Sequence, residues 1–355
     1  MSKPMVVVAM SGGVDSSVSA ALLKEAGYEA VGVYMQLWHE ERSASSRVRP
    51  VCCSHRDADD ARRVCQLLDI PFYIFNFEAQ FQRYVIDYFC GEYSQGRTPN
   101  PCIVCNQQIK FNLLLRQALS LGAQYLATGH YARIQESDNG YHLLKGMDPS
   151  NDQSYFLYTL GQGDLQRLLF PLGDCRKAQV RRMAAERGLP VADKPKSQDL
   201  CFVPDRRYPD FVREYVSPSP GNIVDIEGNV LGRHKGIAFY TIGQRTGLGI
   251  AAGRRLYVIA INAMANSVVV GSEDQLFASR LVAGSARFVS RRPESPIAVK
   301  AKIRYKSPEI GATLHPRERG MEVLFDKPQR AISPGQAVVL YQGDQVLGGG
   351  VIEAS

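Results

Sequence analysis

The stretch Ser11-Gly12-Gly13-Val14-Asp15-Ser16-Ser17 constrains this chain more than any other. It follows a β-branched apolar run, Met5-Val6-Val7-Val8-Ala9-Met10, of the length of a buried strand, and it precedes Val18 to Gly27, which reads as a helix closed by a C-terminal glycine. The order strand, loop, helix leaves the backbone N–H groups of the helix start facing outward. Two glycines let that backbone approach a ligand closely, and the hydroxyls of Ser11, Ser16 and Ser17 add donors, so an anion is the expected ligand and phosphate the expected anion. A Walker loop would carry a Lys-Ser/Thr pair after its second glycine. Val14-Asp15 stands there instead, and Asp15 is suited to hold a magnesium ion that neutralises the phosphates. The plainer alternative is a Ser/Gly turn that caps a helix.

Further along, Ala30 to Met35, Phe72 to Phe77 and Tyr125 to Gly129 read as strands. Asp57 to Asp69, Glu78 to Tyr93 and Asn106 to Leu121 read as helices, and the polar stretch up to Ser54 reads as a loop or insertion. Strands alternating with helices predict parallel βαβ units in a doubly wound α/β sheet. Ligands of such sheets sit at the carboxyl ends of the strands, where the Ser11 loop, Met35 and the Thr128-Gly129-His130 turn should converge. Arg133 to Lys145 then predicts a hairpin across Asn139-Gly140, Asp152 to Leu157 opens a helical region, and Arg176 to Arg187 predicts a basic helix ended by Gly188.

The composition changes near Pro204. Short β-like runs follow at Asn222–Ile226, Leu256–Asn262, Ser267–Val270, Ile297–Ile303, Met321–Phe325, Gln336–Tyr341 and Gln345–Ile352, separated by turn residues. We therefore expect an α/β domain over residues 1–205, a small β-rich linking domain over 206–280 and a C-terminal β-barrel over 281–355, a division in keeping with a length of 355 residues. The net charge is only +7, but it is unevenly spread. Leu231 to Tyr257 carries five Arg or Lys and no acid, and Arg280 to Lys306 carries eight against Glu294 alone. A polyanionic partner would account for both runs, and so would solvated faces.

Eight cysteines raise the question of sulfur chemistry. No apolar run approaches the roughly 18 residues a membrane span needs and no signal-peptide pattern opens the chain. A cytoplasmic location without membrane partners is thus expected, and there thiols are buried, catalytic or metal-binding more often than disulfide-bonded. Thr98 to Asn106 is a proline-braced loop ahead of the predicted helix, so Cys105 would sit at a helix N-terminus, where the dipole favours the thiolate. Cys201, in Ser197-Gln198-Asp199-Leu200-Cys201-Phe202, is a second thiol in a polar setting. Cys102 and Cys105 also have zinc-knuckle spacing, but a second such pair or a His pair at ligand spacing is missing. Cys52, Cys53, Cys65, Cys90 and Cys175 read as loop or core residues.

Six motifs occur in one order: Ser-Gly-Gly-Val-Asp-Ser at residue 11, the Asn100-to-Asn106 loop, Ala127 to Arg133, Asp152 to Leu157, Ser197 to Phe202 and Tyr240 to Arg245. The first resembles the PP-loop of ATP pyrophosphatases. Together the six resemble the bacterial tRNA-specific 2-thiouridylases from residue 9 to about 250, and Arg304-Tyr305 and Pro334-Gly335-Gln336 extend the likeness. The resemblance implies a PP-loop nucleotide-binding fold with ATP, accompanied by Mg2+ near Asp15, over Ala9, Met10, Ser11, Gly12, Gly13, Val14, Asp15 and Ser16, with Met35 and Gly129 near the adenosine. It implies adenylation of the 2-carbonyl oxygen of the wobble uridine in tRNA, which lets the oxygen leave as part of AMP. Sulfur would come from a persulfide on Cys201, supplied by a cysteine desulfurase or a relay protein. Cys105 would release that sulfur or close a disulfide with Cys201. Asn100, Pro101 and Cys102 would line the flipped base, and His130, Asn151, Asp152, Gln153, Arg304, Tyr305 and Gln336 match positions that touch tRNA. The resemblance also implies that the small β-rich domain over 206–280 is a central tRNA-binding domain.

One departure from the pattern concerns Cys102, which stands where many members carry an aspartate assigned as general base. That role does not transfer to a thiol. Cys102, Cys105 and Cys201 could then act as a three-cysteine site for an iron–sulfur cluster, as an alternative to the persulfide route. An amidating synthetase of the PP-loop class, which needs no paired cysteines, and a non-catalytic RNA-binding module are the competing readings of the whole chain.

Overall fold

The computed structural model describes residues 3–38, 55–195, 200–203 and 208–354. Most of the polar stretch ahead of the second helix, with Cys52 and Cys53, and the Ser197-to-Asp199 part of the Cys201 motif lie outside these residues. The chain divides into two compact units, one of residues 1–85, 102–206 and 344–347, the other of residues 86–101, 207–343 and 348–355.

The first unit holds the parallel sheet. Its strands are β1 (Met5–Met10), β2 (Glu29–Gln36), β3 (Phe72–Asn76), β4 (Tyr125–Ala127) and, after the hairpin of β5 (Ala132–Ser137) and β6 (Gly140–Lys145), β7 (Leu168–Leu169). The order is β3-β2-β1-β4-β7, with every neighbour parallel. The chain begins in the middle, builds outward to β3, and then crosses back to β4. The topological switch point therefore falls between β1 and β4, and the carboxyl ends of these two strands flank the crevice where such sheets bind ligands. Val6, Val7 and Val8 of β1 are fully buried, as a central strand covered on both faces requires.

Helix Val14–Glu25 packs on this sheet through Val14, Val18 and Leu23. It ends in a Schellman turn: Gly27 has φ +88°, its N–H donates to the Lys24 carbonyl at 3.0 Å, and the Tyr28 N–H reaches the Leu23 carbonyl at 3.1 Å. The helices expected over 57–69 and 176–187 are present as His55–Leu67 and Lys177–Glu186. The segment expected as a helix over 106–121 begins earlier, at Pro101, and runs to Ser120. Its stretch Cys105–Leu114 is wound as a π-helix, a geometry rarely sustained and frequent at functional sites.

The second unit is predominantly β. A four-stranded sheet is built from β8 (Gly221–Val224), β9 (Val230–His234), β10 (Tyr257–Asn262) and β11 (Ser267–Gly271), in the order β10-β11-β8-β9. Then β12 (Phe277–Phe288), β13 (Ile297–Lys302), β14 (Ile310–Pro316), β15 (Met321–Arg330), β16 (Ala337–Gln342) and β17 (Gln345–Ala354) run β12-β15-β14-β13-β16-β17 and close through a β12–β17 pairing. The parallel α/β sheet, the small β-rich assembly and the C-terminal barrel are thus all present. Strands β7, β9, β12 and β14 and helix Tyr208–Tyr215 are additions to the expectation. Strand β12 shows why: its apolar alternation is broken at bulges, and Ser285 adopts φ +47° where the strand passes from pairing with β15 to pairing with β17.

Candidate active site

The loop after β1 is held in shape by its own serines. The Ser11 N–H donates to Ser16 Oγ at 3.1 Å, Ser16 Oγ donates to the Gly13 carbonyl at 3.2 Å, and Ser17 Oγ donates to the same carbonyl at 2.8 Å. Gly13 is the N-cap of helix Val14–Glu25 and no side chain caps it, so the first N–H groups of the helix are left for a ligand. Gly12 requires its lack of a side chain twice over: φ is +67°, and a Cβ would overlap the Asp57 carbonyl oxygen. From the other flank of the switch point, Gly129 lies directly against the loop, where a Cβ would stand 2.8 Å from the Asp15 carbonyl carbon and 2.9 Å from the Ser16 nitrogen. The Ser11 loop and the turn after β4 therefore converge as expected. Met35, one residue before the end of β2, is a buried side chain on the same sheet.

Asp15 is the centre of a charged cluster. Lys177 Nζ donates to both carboxylate oxygens, at 2.5 and 2.7 Å, and the Tyr131 hydroxyl donates to Oδ1 at 2.7 Å. Burial first and the Asp15 carboxylate second push the Tyr131 hydroxyl far above the usual phenol range, so it remains a donor. Lys177 opens its helix, and its backbone N–H donates to Asp148 at 2.9 Å, a bond that holds the Asp148 carboxyl below its ordinary range. A second lysine touches the loop itself: Lys194 Nζ donates to the Gly12 carbonyl at 2.9 Å, to Asp57 at 2.6 Å and to Asp60 at 2.7 Å. Burial would lower the Lys194 ammonium, but the two carboxylates outweigh it and hold the group above its ordinary value. Arg181 fixes this segment by donating to the Ala192 and Lys194 carbonyls at 3.3 and 3.2 Å. Tyr131 lies in the Ala127-to-Arg133 motif but carries no role of its own in the sequence reading; for Lys177, Lys194 and Asp57 the only signal along the chain is a basic or acidic setting.

The other residues singled out in the first unit fall into two groups. His130 is buried, with Nδ1 2.6 Å from the Thr128 hydroxyl, and burial, helped by Lys110, keeps its imidazole well below the usual range and so uncharged. Asp152 turns inward: it accepts from the Gly146 N–H at 2.9 Å and from the Ser154 N–H and hydroxyl at 3.1 and 2.9 Å. Gln153 accepts from the Tyr131 N–H at 3.0 Å, and Asn151 donates to Asp148 at 2.9 Å. These contacts build the turn on which Tyr131 is presented to Asp15.

The thiols depart from expectation in one respect. The helix starts at Pro101, so Cys105 lies a full turn inside it and away from the positive end of the dipole. Burial raises the Cys105 thiol above its ordinary value, with Lys110 opposing but not overcoming the effect, so Cys105 is not the low-pKa thiolate that a terminal position would have made it. Cys102 presents an exposed side chain, yet desolvation of its sulfur, followed by the neighbouring Cys105, pushes its thiol up to about 11. Cys201 is half-buried, and the ring of the adjacent Phe202 packs edge-on against Phe81 at 5.7 Å. Among the described residues no group of three His, Cys, Asp or Glu side chains is arranged to hold a metal ion, so Cys102, Cys105 and Cys201 do not form the cluster site considered above.

In the second unit, the loop leading to Asn100 and Pro101 is docked on residues of the barrel end. The Thr98 N–H donates to the Pro334 carbonyl at 2.8 Å, and Gln336 Nε2 donates to the Thr98 and Pro99 carbonyls at 3.0 and 3.4 Å. Arg304 donates to the Ala331 carbonyl at 2.6 Å and the Ser333 hydroxyl at 3.0 Å, and Tyr305 lies under the Lys302 ammonium at 5.9 Å. Thr98 and Pro99, just ahead of Asn100 and Pro101, thus pack against Pro334 and Gln336, and Arg304 is bonded to the Ala331–Ser333 segment that precedes them.

A doubly wound parallel sheet whose first turn is a glycine–serine anion loop, flanked by an aspartate and two lysines, defines a PP-loop nucleotide-binding protein. Three family models match the chain: a tRNA methyl transferase HUP domain over residues 4–205, a tRNA methyl transferase PRC-barrel domain over 209–272 and an aminomethyltransferase beta-barrel domain over 278–352. Full-length relatives include a tRNA-specific 2-thiouridylase of Clostridium perfringens, 50% identical over 359 residues, with 100% of this chain and 99% of that protein aligned. Those of Acetivibrio thermocellus (49%; 99% and 100%) and Geotalea uraniireducens (51%; 98% and 94%) are similar to the same degree. The chain belongs to the tRNA-specific 2-thiouridylase family.

Proposed function

We infer that the protein is an ATP-dependent tRNA uridine 2-sulfurtransferase, which converts the wobble uridine of tRNA to 2-thiouridine and releases AMP and pyrophosphate. The observation that carries this reading is the end-to-end similarity to 2-thiouridylases together with a loop whose serines, Asp15 and two lysines suit the phosphates of ATP. The triphosphate would lie over residues 9–16 at the helix N-terminus, with Met35 and Gly129 toward the adenosine. The loop suits a magnesium ion bound mostly by phosphate oxygens, since residues 11–17 carry a single carboxylate, Asp15, and magnesium commonly takes one or two protein carboxylates with water and phosphate completing its shell. Such an ion would supply charge neutralisation; Lys177 would pass from Asp15 to a phosphate oxygen as the ligand enters.

In the reaction we infer, the uridine O2 attacks the α-phosphorus and pyrophosphate departs, which activates C2. The terminal sulfur of a persulfide on Cys201 then attacks C2, and AMP leaves with the former oxygen. The Cys105 thiolate attacks the Cys201 sulfur, a Cys105–Cys201 disulfide forms, and the 2-thiouridine sulfur departs with the electron pair. Release of hydrosulfide by Cys105 before attack on C2 reaches the same disulfide, so both routes require an external thiol reductant for the next turnover. Asn100 to Cys102 would border the extruded base, and His130, Asn151 to Gln153, Arg304, Tyr305 and Gln336 would be near the tRNA. The same reading includes a persulfide donor protein, a cytoplasmic setting, and domains at 1–205, 206–280 and 281–355; no helix among the described residues is long and apolar enough to cross a membrane.

Mass analysis of nucleosides from tRNA incubated with enzyme, ATP, magnesium and a sulfur donor tests the function. 2-Thiouridine should form, and Cys201→Ser should abolish it while ATP still binds. Full thiolation by Cys201→Ser would overturn the thiol chemistry and favour transfer of another nucleophile to the adenylated base.

A further inference from the structure

The second unit contains a cavity of about 520 Å³ bordered by residues 245–256, among them Arg245, Arg254 and Arg255. Its walls come from a single loop that is rigidly based. The Gly243 N–H donates to the Val258 carbonyl at 2.8 Å and the Val258 N–H to the Gln244 carbonyl at 2.9 Å, so the loop is closed at its stem. Leu248 and Leu256 are buried in the core of the four-stranded sheet, with Ile250 packed against it. The apolar residues thus anchor the loop inward and its three guanidinium groups are left exposed.

None of the three arginines has a hydrogen bond, ion pair or ring contact with any described residue, and no acid occurs between Leu231 and Tyr257. A second cavity of similar size shows that this is not the rule for arginines in this chain. It is bordered by Arg291, Arg292 and Arg317, and there Arg291 pairs with Glu294, Arg317 pairs with Glu322 at 2.9 Å, and Arg292 donates to the Gly320 carbonyl at 3.0 Å. Arginines brought together around a concavity without a counter-charge repel one another, and planar guanidinium groups match the oxygens of phosphate.

We propose that the Arg245–Leu256 cradle binds backbone phosphates of the RNA substrate. This rests on the reading that the substrate is tRNA, and it adds a second, non-catalytic phosphate contact made by Arg245, Arg254 and Arg255. Phosphate contacts position a nucleic acid without reading its sequence, so the cradle would contribute affinity and register for every tRNA alike.

The test measures binding of an unmodified tRNA transcript to the full-length protein across about 50–300 mM salt. Each phosphate contact contributes roughly 0.9 to the slope of log affinity against log salt on duplex and about 0.7 on single strands. Arg254→Ala/Arg255→Ala should therefore flatten the slope by about 1.4 to 1.8 and weaken binding at least about tenfold near 150 mM salt. Arg254→Lys/Arg255→Lys should restore the slope, and Arg291→Ala/Arg292→Ala should leave slope and affinity unchanged. Arg245→Ala, which should flatten the slope by about 1, carries the test if the double variant fails to fold. Wild-type slope and affinity in a folded double Ala variant overturn the proposal. If inorganic phosphate binds the wild-type loop and loses that binding in the double variant while tRNA affinity is unaltered, the cradle serves a free anion and the RNA assignment falls. A wild-type protein that neither binds nor thiolates tRNA would instead refute the function itself.

Discussion

Gly129 gives the most direct test of the way the sheet positions the nucleotide loop. An alanine Cβ there would stand 2.8 Å from the Asp15 carbonyl carbon, 2.9 Å from the Ser16 nitrogen and 3.0 Å from the Asp15 Cβ. Two of these atoms are backbone in the first turn of a helix whose inner face is buried, so no flexible side chain can absorb the overlap. Restoring ordinary contact requires about 0.6–1 Å of separation between the loop and the end of β4. Overpacking of this size costs about 1–3 kcal/mol of stability, and a displacement near 1 Å of groups that hold a reacting phosphate costs up to ~100-fold in rate. Gly129→Ala should therefore lower kcat/KM for ATP in tRNA thiolation by about one to two orders of magnitude, while tRNA affinity stays within about twofold of wild type. Gly163→Ala is the control, because a Cβ at Gly163 meets nothing within 4 Å. Gly129→Ala protein, folded at the assay temperature, with the wild-type kcat/KM for ATP would refute the argument that the turn after β4 sets the loop.

Further outcomes follow from other contacts. Lys177→Met keeps the stem but removes two charge-assisted bonds to Asp15; at about 1.5–3 kcal/mol for bonds to charged groups, the KM for ATP should rise at least about tenfold, and an unchanged KM would show that this ammonium never reaches the phosphates. Burial disfavours the charged form of Cys105, so the thiol is protonated at neutral pH. Its alkylation by iodoacetamide in the resting enzyme, followed by peptide mass analysis, should rise about tenfold per pH unit and not level off before about pH 9; a plateau below pH 8 would place a thiolate there. Lys110→Gln should slow the same alkylation, since Lys110 is the group that opposes burial. Gly91 sits in helix Asp87–Ser94 with open space around its Cβ position. Gly91→Ala should raise the unfolding midpoint through a gain of about 0.5–1 kcal/mol in the helix.

What the sequence made legible was whatever lies close together along it. The β1 strand, the Ser11 loop and the following helix occupy adjacent residues, and the alternation of strands and helices after them specifies a doubly wound sheet. The barrel was legible as a class but not in full, because β12 and β14 carry small or polar residues and β12 bends at bulges, so their alternation is weak. The low pKa expected of Cys105 is not matched for a related reason. Helix start signals placed the terminus at Asn106, but Pro101, suited to the first position of a helix, already begins it. The thiol then lies in the interior, where burial rather than the dipole decides its charge.

The lysine that the loop lacks is the clearest case of what distance along the chain conceals. Within residues 11–17, Asp15 stands where a phosphate-binding lysine would be, and the loop by itself offers the phosphates no cation but a metal ion. In the folded chain Lys177 reaches Asp15 from 162 residues away and Lys194 reaches the Gly12 carbonyl from 182 residues away. Each is delivered by the same piece of structure, since helix Lys177–Glu186 carries Lys177 at its start and Arg181 one turn later clamps the carbonyls around Lys194. Cationic charge at this loop is therefore borrowed from a helix and the segment that follows it. Any change that displaces the Lys177–Glu186 helix removes both ammonium groups together. Arg181→Ala should accordingly weaken ATP binding although Arg181 itself touches only backbone carbonyls, and an Arg181→Ala protein with the wild-type KM for ATP would show that the two lysines are held independently.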